Sequence, residues 1–350
     1  MSNPDPTSSE NASTEPTPRG RRIWRKLLLS LTSLVVTLAG VELILRSTGF
    51  SYELRAGILY LDKLDRPLPT FEGCTIDRDY FWKSKLYDKQ LERAFDNRPD
   101  VLFMGDSCTE LGRYDLYFAE LMHQADQDRP LVTAKLGVTG WSTYQGLQQL
   151  EKDVARIRPR VTTFYYGWND HWLNIGLTDA EVGRLKASPL YWFQPLRVGQ
   201  LVLKAYIGYH ARQHGGLAAR QPDTLRVPPA VFRENLIKLV EKARELEITP
   251  ILITAPSAHE PGREPPIMKG RWVADLDDLI PLHQQYVEIV REVARDRDVV
   301  LCDLAAAFDE LPREQVREAM FQNDGIHLRE PGDRLIARLL VEAYLELDLQ

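Results

Sequence analysis

The sequence predicts an α/β fold built on a five-stranded parallel sheet and preceded by one transmembrane helix, and three observations carry that expectation. Apolar runs at Val101 to Met104, Leu131 to Leu136 and Val161 to Tyr166 recur about thirty residues apart with helix-like stretches such as Tyr144 to Ile157 between them, the spacing of βαβ units. Two further runs, Ile251 to Thr254 and Val299 to Cys302, each follow an amphipathic segment. Far upstream, Leu27 to Leu45 is a stretch of nineteen residues with Glu42 as its only charge, the length of a membrane span.

A chain of 350 residues is long enough for one large domain with a single core. Its formal net charge of -6 offers no basic surface for a phosphate backbone, so nucleic acid is not an expected partner. The three cysteines, Cys74, Cys108 and Cys302, are too few and too far apart for a disulfide scaffold or a zinc knuckle.

From the N-terminus, residues 1–26 read as a disordered, basic cytoplasmic tail: the first eighteen lack aromatic and branched aliphatic residues, and Arg19, Arg21, Arg22, Arg25 and Lys26 follow. Residues 27–45 read as an uncleaved signal anchor. The basic cluster on their N-terminal side keeps that end in the cytoplasm and places everything after Arg46 on the far side, periplasmic or extracellular. A cleaved signal peptide competes, but the apolar stretch is long for one and the small-residue site around Thr37 to Ala39 is poor. Residues 46–99 form a linker or N-terminal packing segment rich in aromatics, Tyr80, Phe81, Trp82 and Tyr87 among them, with no evident chemistry.

Residues 100–350 form the main domain. Val231, Leu236, Leu239, Val240 and Ala243 make an apolar stripe on one helix, Ile280, Val287, Val290 and Ala294 on a second, and Pro331 opens a last helix with Leu335, Ile336, Leu339 and Leu340 on its inner face. An insertion at about 172–227 exceeds what a crossover needs, so it is expected to form a lid or a partner surface beside the strand ends.

In open α/β sheets ligands gather at the carboxyl ends of the strands. Gly105-Asp106-Ser107 follows the first strand, Gly137-Val138-Thr139-Gly140-Trp141-Ser142 the second and Gly167-Trp168-Asn169-Asp170 the third. Asp324-Gly325-Ile326-His327 comes after the fifth strand, just ahead of the final helix. Taken singly, each is an ordinary turn or helix cap. Together they fall on one edge of one sheet.

In these four blocks the chain resembles the GDSL/SGNH hydrolase family, whose blocks supply serine, glycine, asparagine and histidine: Ser107, Gly140, Asn169, and His327 with Asp324. The resemblance runs from residue 101 to about 345, and its departure is Cys108, where the family name carries leucine. It implies a three-layer α/β/α, flavodoxin-like SGNH hydrolase fold and a serine esterase or acyl hydrolase acting on an acyl ester of a small molecule, lipid or polysaccharide, with O-acetyl and lipid acyl groups as candidates.

The residue chemistry agrees with those roles. His327 would take the Ser107 proton as general base, and Asp324 would hold the ring and stabilise its cation. The backbone N–H groups of Ser107 and Gly140 and the Asn169 side-chain amide are the expected oxyanion donors. Asp106, Cys108, Trp141, Trp168, Asp170 and His171 are candidate pocket residues. His210 and His214 stand four apart without the glutamate of a zinc protease motif, so neither a metal nor an organic cofactor is expected. Two alternatives stay open: an O-acyltransferase or acetyltransferase using the same residues on an envelope polysaccharide or lipid, which transfer to supplied acceptors would reveal, and a non-catalytic binding or scaffold protein, which would not react with a fluorophosphonate probe. Oligomeric state is not readable from the sequence.

Overall fold

A computed structural model describes residues 18–52, 74–125, 127, 130–174, 177–213, 224–270 and 272–347. Helix α1 (Pro18–Ser47) holds the apolar N-terminal stretch and begins nine residues ahead of it, so residues 18–26, expected to be disordered, are helical. It ends where Gly49 turns to φ +72° and Thr48, Gly49 and Phe50 return their N–H groups to the last free carbonyls, a turn a side chain would strain. Every described residue from 22 to 39 is exposed. The segment Arg22–Ser47 is the one helix among the described residues long and apolar enough to cross a membrane. At about 1.5 Å per residue it exceeds the roughly 30 Å of a hydrocarbon core.

The aromatic segment ahead of the main domain is built into it. Strands β1 (Cys74–Ile76) and β2 (Trp82–Ser84) pair antiparallel and lead into helix α2 (Tyr87–Asn97). Tyr80, Phe81, Trp82 and Tyr87 are buried in the same apolar cluster as the sheet. The Tyr80 and Tyr87 hydroxyls both donate to one oxygen of buried Asp153, each at 2.7 Å.

The central sheet contains β3 (Val101–Gly105), β4 (Thr133–Gly137), β5 (Val161–Tyr165), β8 (Thr249–Ile253) and β9 (Val300–Cys302), all parallel in the order β4-β3-β5-β8-β9. These are the five expected strands. The second begins two residues later than its apolar run, because the Val132 carbonyl accepts from Asp100 and Val101 N–H and its own N–H goes to the Asp100 carboxylate. Side chains alternate along β3: Leu102 and Met104 join one apolar cluster, Val101 and Phe103 the other, so both faces are covered and the architecture is three-layered.

On the Val101 and Phe103 face lie α4 (Tyr114–Ala125), with Tyr114 and Phe118, and the closing helix α10 (Glu330–Leu345), with Ile336, Ala337 and Leu340. Between β3 and α4 runs the short helix α3 (Ser107–Leu111). On the other face lie α5 (Thr143–Gln149), α8 (Pro229–Glu245) and most of α9 (Leu279–Asp296). The helix expected over 144–157 is interrupted by a π turn at Leu150–Val154, which presents Leu150 and Val154 to the core.

The insertion is clipped at its base by β6 (Leu173–Asn174) pairing antiparallel with β7 (Thr224–Leu225). From that base α6 (Asp179–Ala187) packs inward through Val182 and Leu185, a short turn follows at Pro189–Phe193, and helix α7 (Arg197–Gln213) buries Leu203 and Ile207 in the same cluster on one side, turns its other side outward and packs against the C-terminal end of α1. The expected lid or partner surface therefore divides into an inward half and an outward half beside the apolar helix. The pair His210 and His214, from which no metal site is expected, falls outside the described side chains, since His214 and the His210 side chain are not described.

Replacing Asp153 leaves two buried tyrosine hydroxyls without their acceptor. Asp153→Ala should lower unfolding free energy by about 2 kcal/mol in a denaturant titration, with Asp153→Asn losing less.

Candidate active site

Register places the site. In the ladder Gly105 stands opposite both Gly137 and Tyr165, so three strands end level and their following loops share one edge. Glycine is required at two of those ends. A Cβ on Gly105 would sit 2.1 Å from Thr109 Oγ1 and one on Gly137 would sit 2.6 Å from Glu110 N, so only hydrogen lets α3 fold back over the strand tips.

Ser107 is the first residue of α3, capped by Asp106, whose carboxylate accepts the Cys108 N–H at 2.9 Å. The Ser107 hydroxyl lies 2.8 Å from His327 Nε2, and His327 Nδ1 lies 2.6 Å from Asp324 Oδ2. The second Asp324 oxygen accepts the backbone N–H groups of Ile326 and His327 at 2.9 and 3.0 Å, which closes the turn around the histidine. Nδ1 must therefore carry the proton donated to Asp324, and Nε2 is left to accept from the serine.

Charge reinforces that arrangement. Burial alone would push the His327 imidazolium down, but the hydrogen bond and charge of Asp324, with the charge of Asp106, outweigh it and raise the value above the ordinary one. Burial works the other way on Asp324, and the donors from His327 and the turn hold its carboxyl below the usual range. Asp106 is fully enclosed, and burial raises it to about 6 against the pull of its hydrogen bonds and of His327.

The other two blocks reach the same edge. The Asn169 side-chain amide donates to Asp106 Oδ2 at 2.8 Å, so one carboxylate holds the first and third blocks together. That bond uses one of the two amide hydrogens. Gly140 adopts φ +81°, where a side chain would be strained, and its loop is fastened at three points. Thr139 N–H donates to Glu110 at 2.5 Å, the Thr139 carbonyl accepts from Trp82 Nε1 at 2.9 Å, and the Gly140 carbonyl accepts from Arg226 at 2.6 Å.

The candidate pocket residues divide. Cys108 lies under the histidine turn, its sulfur 3.9 Å from the Ile326 carbonyl, and burial keeps the thiol protonated well above its normal value. Trp168 is buried and stacks on His283 at 3.7 Å between ring centres. Trp141 is enclosed in the core, stacked on Tyr80 at 4.9 Å, with its indole N–H donating to the Trp82 carbonyl. Asp170 accepts from the Thr143 N–H and hydroxyl, and burial lifts it to about 7. His171 donates from Nε2 to His283 Nδ1 at 3.0 Å, since His283 must spend its own Nε2–H on the Ala255 carbonyl. Burial lowers His171 to about 3, so it is neutral.

Three contributors gave no signal in the sequence. His259 donates from Nε2 to the Asp324 carbonyl at 2.8 Å, and Gly325 leaves room for its ring. Arg226, wholly buried, forms an ion pair with equally buried Asp179 at 2.7 Å while it holds Gly140. Trp82 braces the Gly140 loop from the N-terminal segment. The Asp-x-x-His turn and the glycine blocks can be seen locally, but these three act across long separations in the chain. His259 and His283 also line a cavity of about 480 Å³ with Arg291 and Arg313, which takes neither Ser107 nor His327 into its wall.

The profile of the GDSL-like lipase/acylhydrolase family matches residues 103–335. Solved structures similar to the chain include a lipase/acylhydrolase from Enterococcus faecalis, at 20% identity over 71% of this chain and 97% of that one with a TM-score of 0.46. Axe2, an acetylxylan esterase from Geobacillus stearothermophilus, aligns at 16% identity over 71% and 94% with a TM-score of 0.45. No curated protein matches the sequence.

Two measurements check the electrostatics. In histidine-labelled protein followed by NMR, His327 should titrate above about 6.5 and fall when Asp324→Asn removes the carboxylate, while His171 stays neutral throughout. Arg226→Met should cost about 3–5 kcal/mol in unfolding free energy because Asp179 is left buried and unpaired, and Asp179→Leu in the same chain should recover much of it.

Proposed function

Because the chain belongs to the GDSL-like lipase/acylhydrolase family, a family of ester hydrolases, we propose that it cleaves an acyl ester through a Ser107-His327-Asp324 triad. The observation that carries this reading is the unbroken line of hydrogen bonds from the Ser107 hydroxyl through both ring nitrogens of His327 to the Asp324 carboxylate. Ser107 Oγ attacks the ester carbonyl carbon while its proton passes to His327 Nε2. The tetrahedral intermediate collapses, the C–O bond to the alcohol breaks, and His327 returns the proton to the departing oxygen. Water then repeats the sequence on the acyl-serine, releasing the acid and restoring Ser107.

The negative oxygen of each intermediate is met by the N–H groups of Ser107 and Gly140 and by the second amide hydrogen of Asn169. Supporting this, the Gly140 loop and the Asn169 side chain are both fastened from behind, so the donors need no reorganisation as charge develops. Asp324 stays ionised and fixes the ring, which makes it a partner of the base and not a second proton acceptor.

The reading places residues 1–26 in the cytoplasm as a basic tail, 27–45 across the membrane as an anchor, and the hydrolase domain from about residue 100 on the far side, with 46–99 connecting them. The positive cluster in the first turns of α1, Arg19 to Lys26, supports that orientation, and the exposed apolar surface that follows it supports the anchor. The substrate is then an ester available outside the cytoplasm, on a small molecule, a lipid or a polysaccharide.

Ser107→Ala should abolish hydrolysis of a short-chain aryl ester with the circular dichroism spectrum unchanged; retained turnover would overturn the assignment. Asn169→Ala should lower kcat about a hundredfold or more for the loss of one oxyanion donor. Since protonated His327 cannot accept the serine proton, kcat/KM should rise with pH through a limb centred above about 6.5, the ordinary histidine value.

A further inference from the structure

The outward half of the insertion carries an apolar surface that the hydrolase chemistry does not use. Trp192 is 70% exposed, Phe193 55% and Leu196 45%, and they continue into Leu201 and Val202 on the outer side of α7. The opposite side of the same helix is already satisfied, with Gln200, Leu203 and Ile207 buried against the protein. Among the described residues the helix thus has a second apolar side with no core to face, and contiguous patches of this kind mark an interaction surface.

Its neighbour indicates what covers it. Glu42 of α1 accepts the Val198 N–H at the start of α7 at 2.9 Å, Arg197 donates to Ser51 at 2.8 Å, and the Tyr52 N–H donates to Gln200 at 2.9 Å. The patch is therefore pinned where the apolar helix ends, at the level at which a span would leave the hydrocarbon. Charge agrees: residues 182–222 hold six basic residues and no acidic one, in a chain whose formal charge is -6. Exposed tryptophan, phenylalanine and leucine with lysine and arginine on the flanks is the composition of a segment that lies in a bilayer interface and meets anionic headgroups.

We propose that residues 189–209 lie in the membrane surface beside α1, with Trp192, Phe193 and Leu196 set among anionic lipid headgroups. This rests on the reading of α1 as a membrane anchor. The hydrolase domain is then attached to the bilayer at two places, α1 and the insertion. Because Arg226 at the base of the same insertion holds the Gly140 loop, the second attachment restrains the domain's orientation over the lipid.

The test uses the full chain in nanodiscs of phosphatidylcholine and phosphatidylglycerol, with Cys74→Ser to remove the one native cysteine that is not buried. A fluorophore is attached at Phe193→Cys, at Val35→Cys in α1, or at Lys238→Cys on the exposed side of α8. The expected result is quenching by lipid-borne nitroxide severalfold stronger at 193 and at 35 than at 238, with iodide reaching only 238. If 35 is quenched by lipid but 193 responds to iodide, the surface contact is wrong and the anchor stands. If 35 is not quenched by lipid, the anchor reading fails and this proposal with it. Protection at 193 from both quenchers would mean that protein, such as a second copy of the chain, covers the patch, and would also overturn it.

Discussion

The level ending of three parallel strands is the constraint on which the site depends. Neighbouring strands in a sheet lie about 4.8 Å apart, and Gly105, Gly137 and Tyr165 occupy one row of the ladder. Side chains two to four residues beyond that row are thereby brought within reach of each other without any long excursion of the backbone. A slip of one residue in any strand would turn its apolar side chains to the wrong cluster as well as displace the loop that follows it. Core packing and site geometry are therefore enforced by the same register.

Holding the loops is the work of buried charge. Asp106 ties the serine turn to Asn169, Asp170 ties the third loop to Thr143 on α5, and the Arg226–Asp179 pair ties the insertion to Gly140. Each of these charges is costly to remove from water. The cost is offset by the hydrogen bonds these groups make, with Asp170 Oδ2 the one oxygen among them left without a partner among the described residues, and the result is a set of donors held in place within a low-dielectric interior. Burial has an opposite consequence for His171 and His283, whose rings hydrogen-bond each other and the Ala255 carbonyl and not a carboxylate, and which are driven to the neutral form. His327 differs because Asp324 is within hydrogen-bond distance, and that contact reverses the direction of its shift.

Segments that lie outside the catalytic blocks support them from two sides. Trp82, in the stretch after the apolar helix, holds the Thr139 carbonyl, and Arg226, at the end of the insertion, holds the Gly140 carbonyl one residue later. The same insertion meets α1 through Val198 and Glu42. On the proposed reading, the parts that attach the protein to a membrane are mechanically continuous with the loop that stabilises the oxyanion.

The five strands, the flanking helices, the apolar helix, the three polar strand ends and the Asp324 to His327 turn before the last helix are legible in the sequence because each is encoded locally, by hydrophobic period or by a short motif. Tertiary structure decided where side chains beyond those runs point. Trp141, Asp170 and His171 adjoin the motifs yet are enclosed among Tyr80, Thr143 and His283, whereas His259, Arg226 and Trp82, far from any motif, hold the loops of the site. Cys108, without a role in the sequence, packs beneath the histidine turn against Ile326. The physical reason is common to all of them. A strand's period is set by its own residues, but the direction of a side chain in a loop is set by hydrogen bonds and ring contacts with groups tens to hundreds of positions away, and no local pattern records those partners.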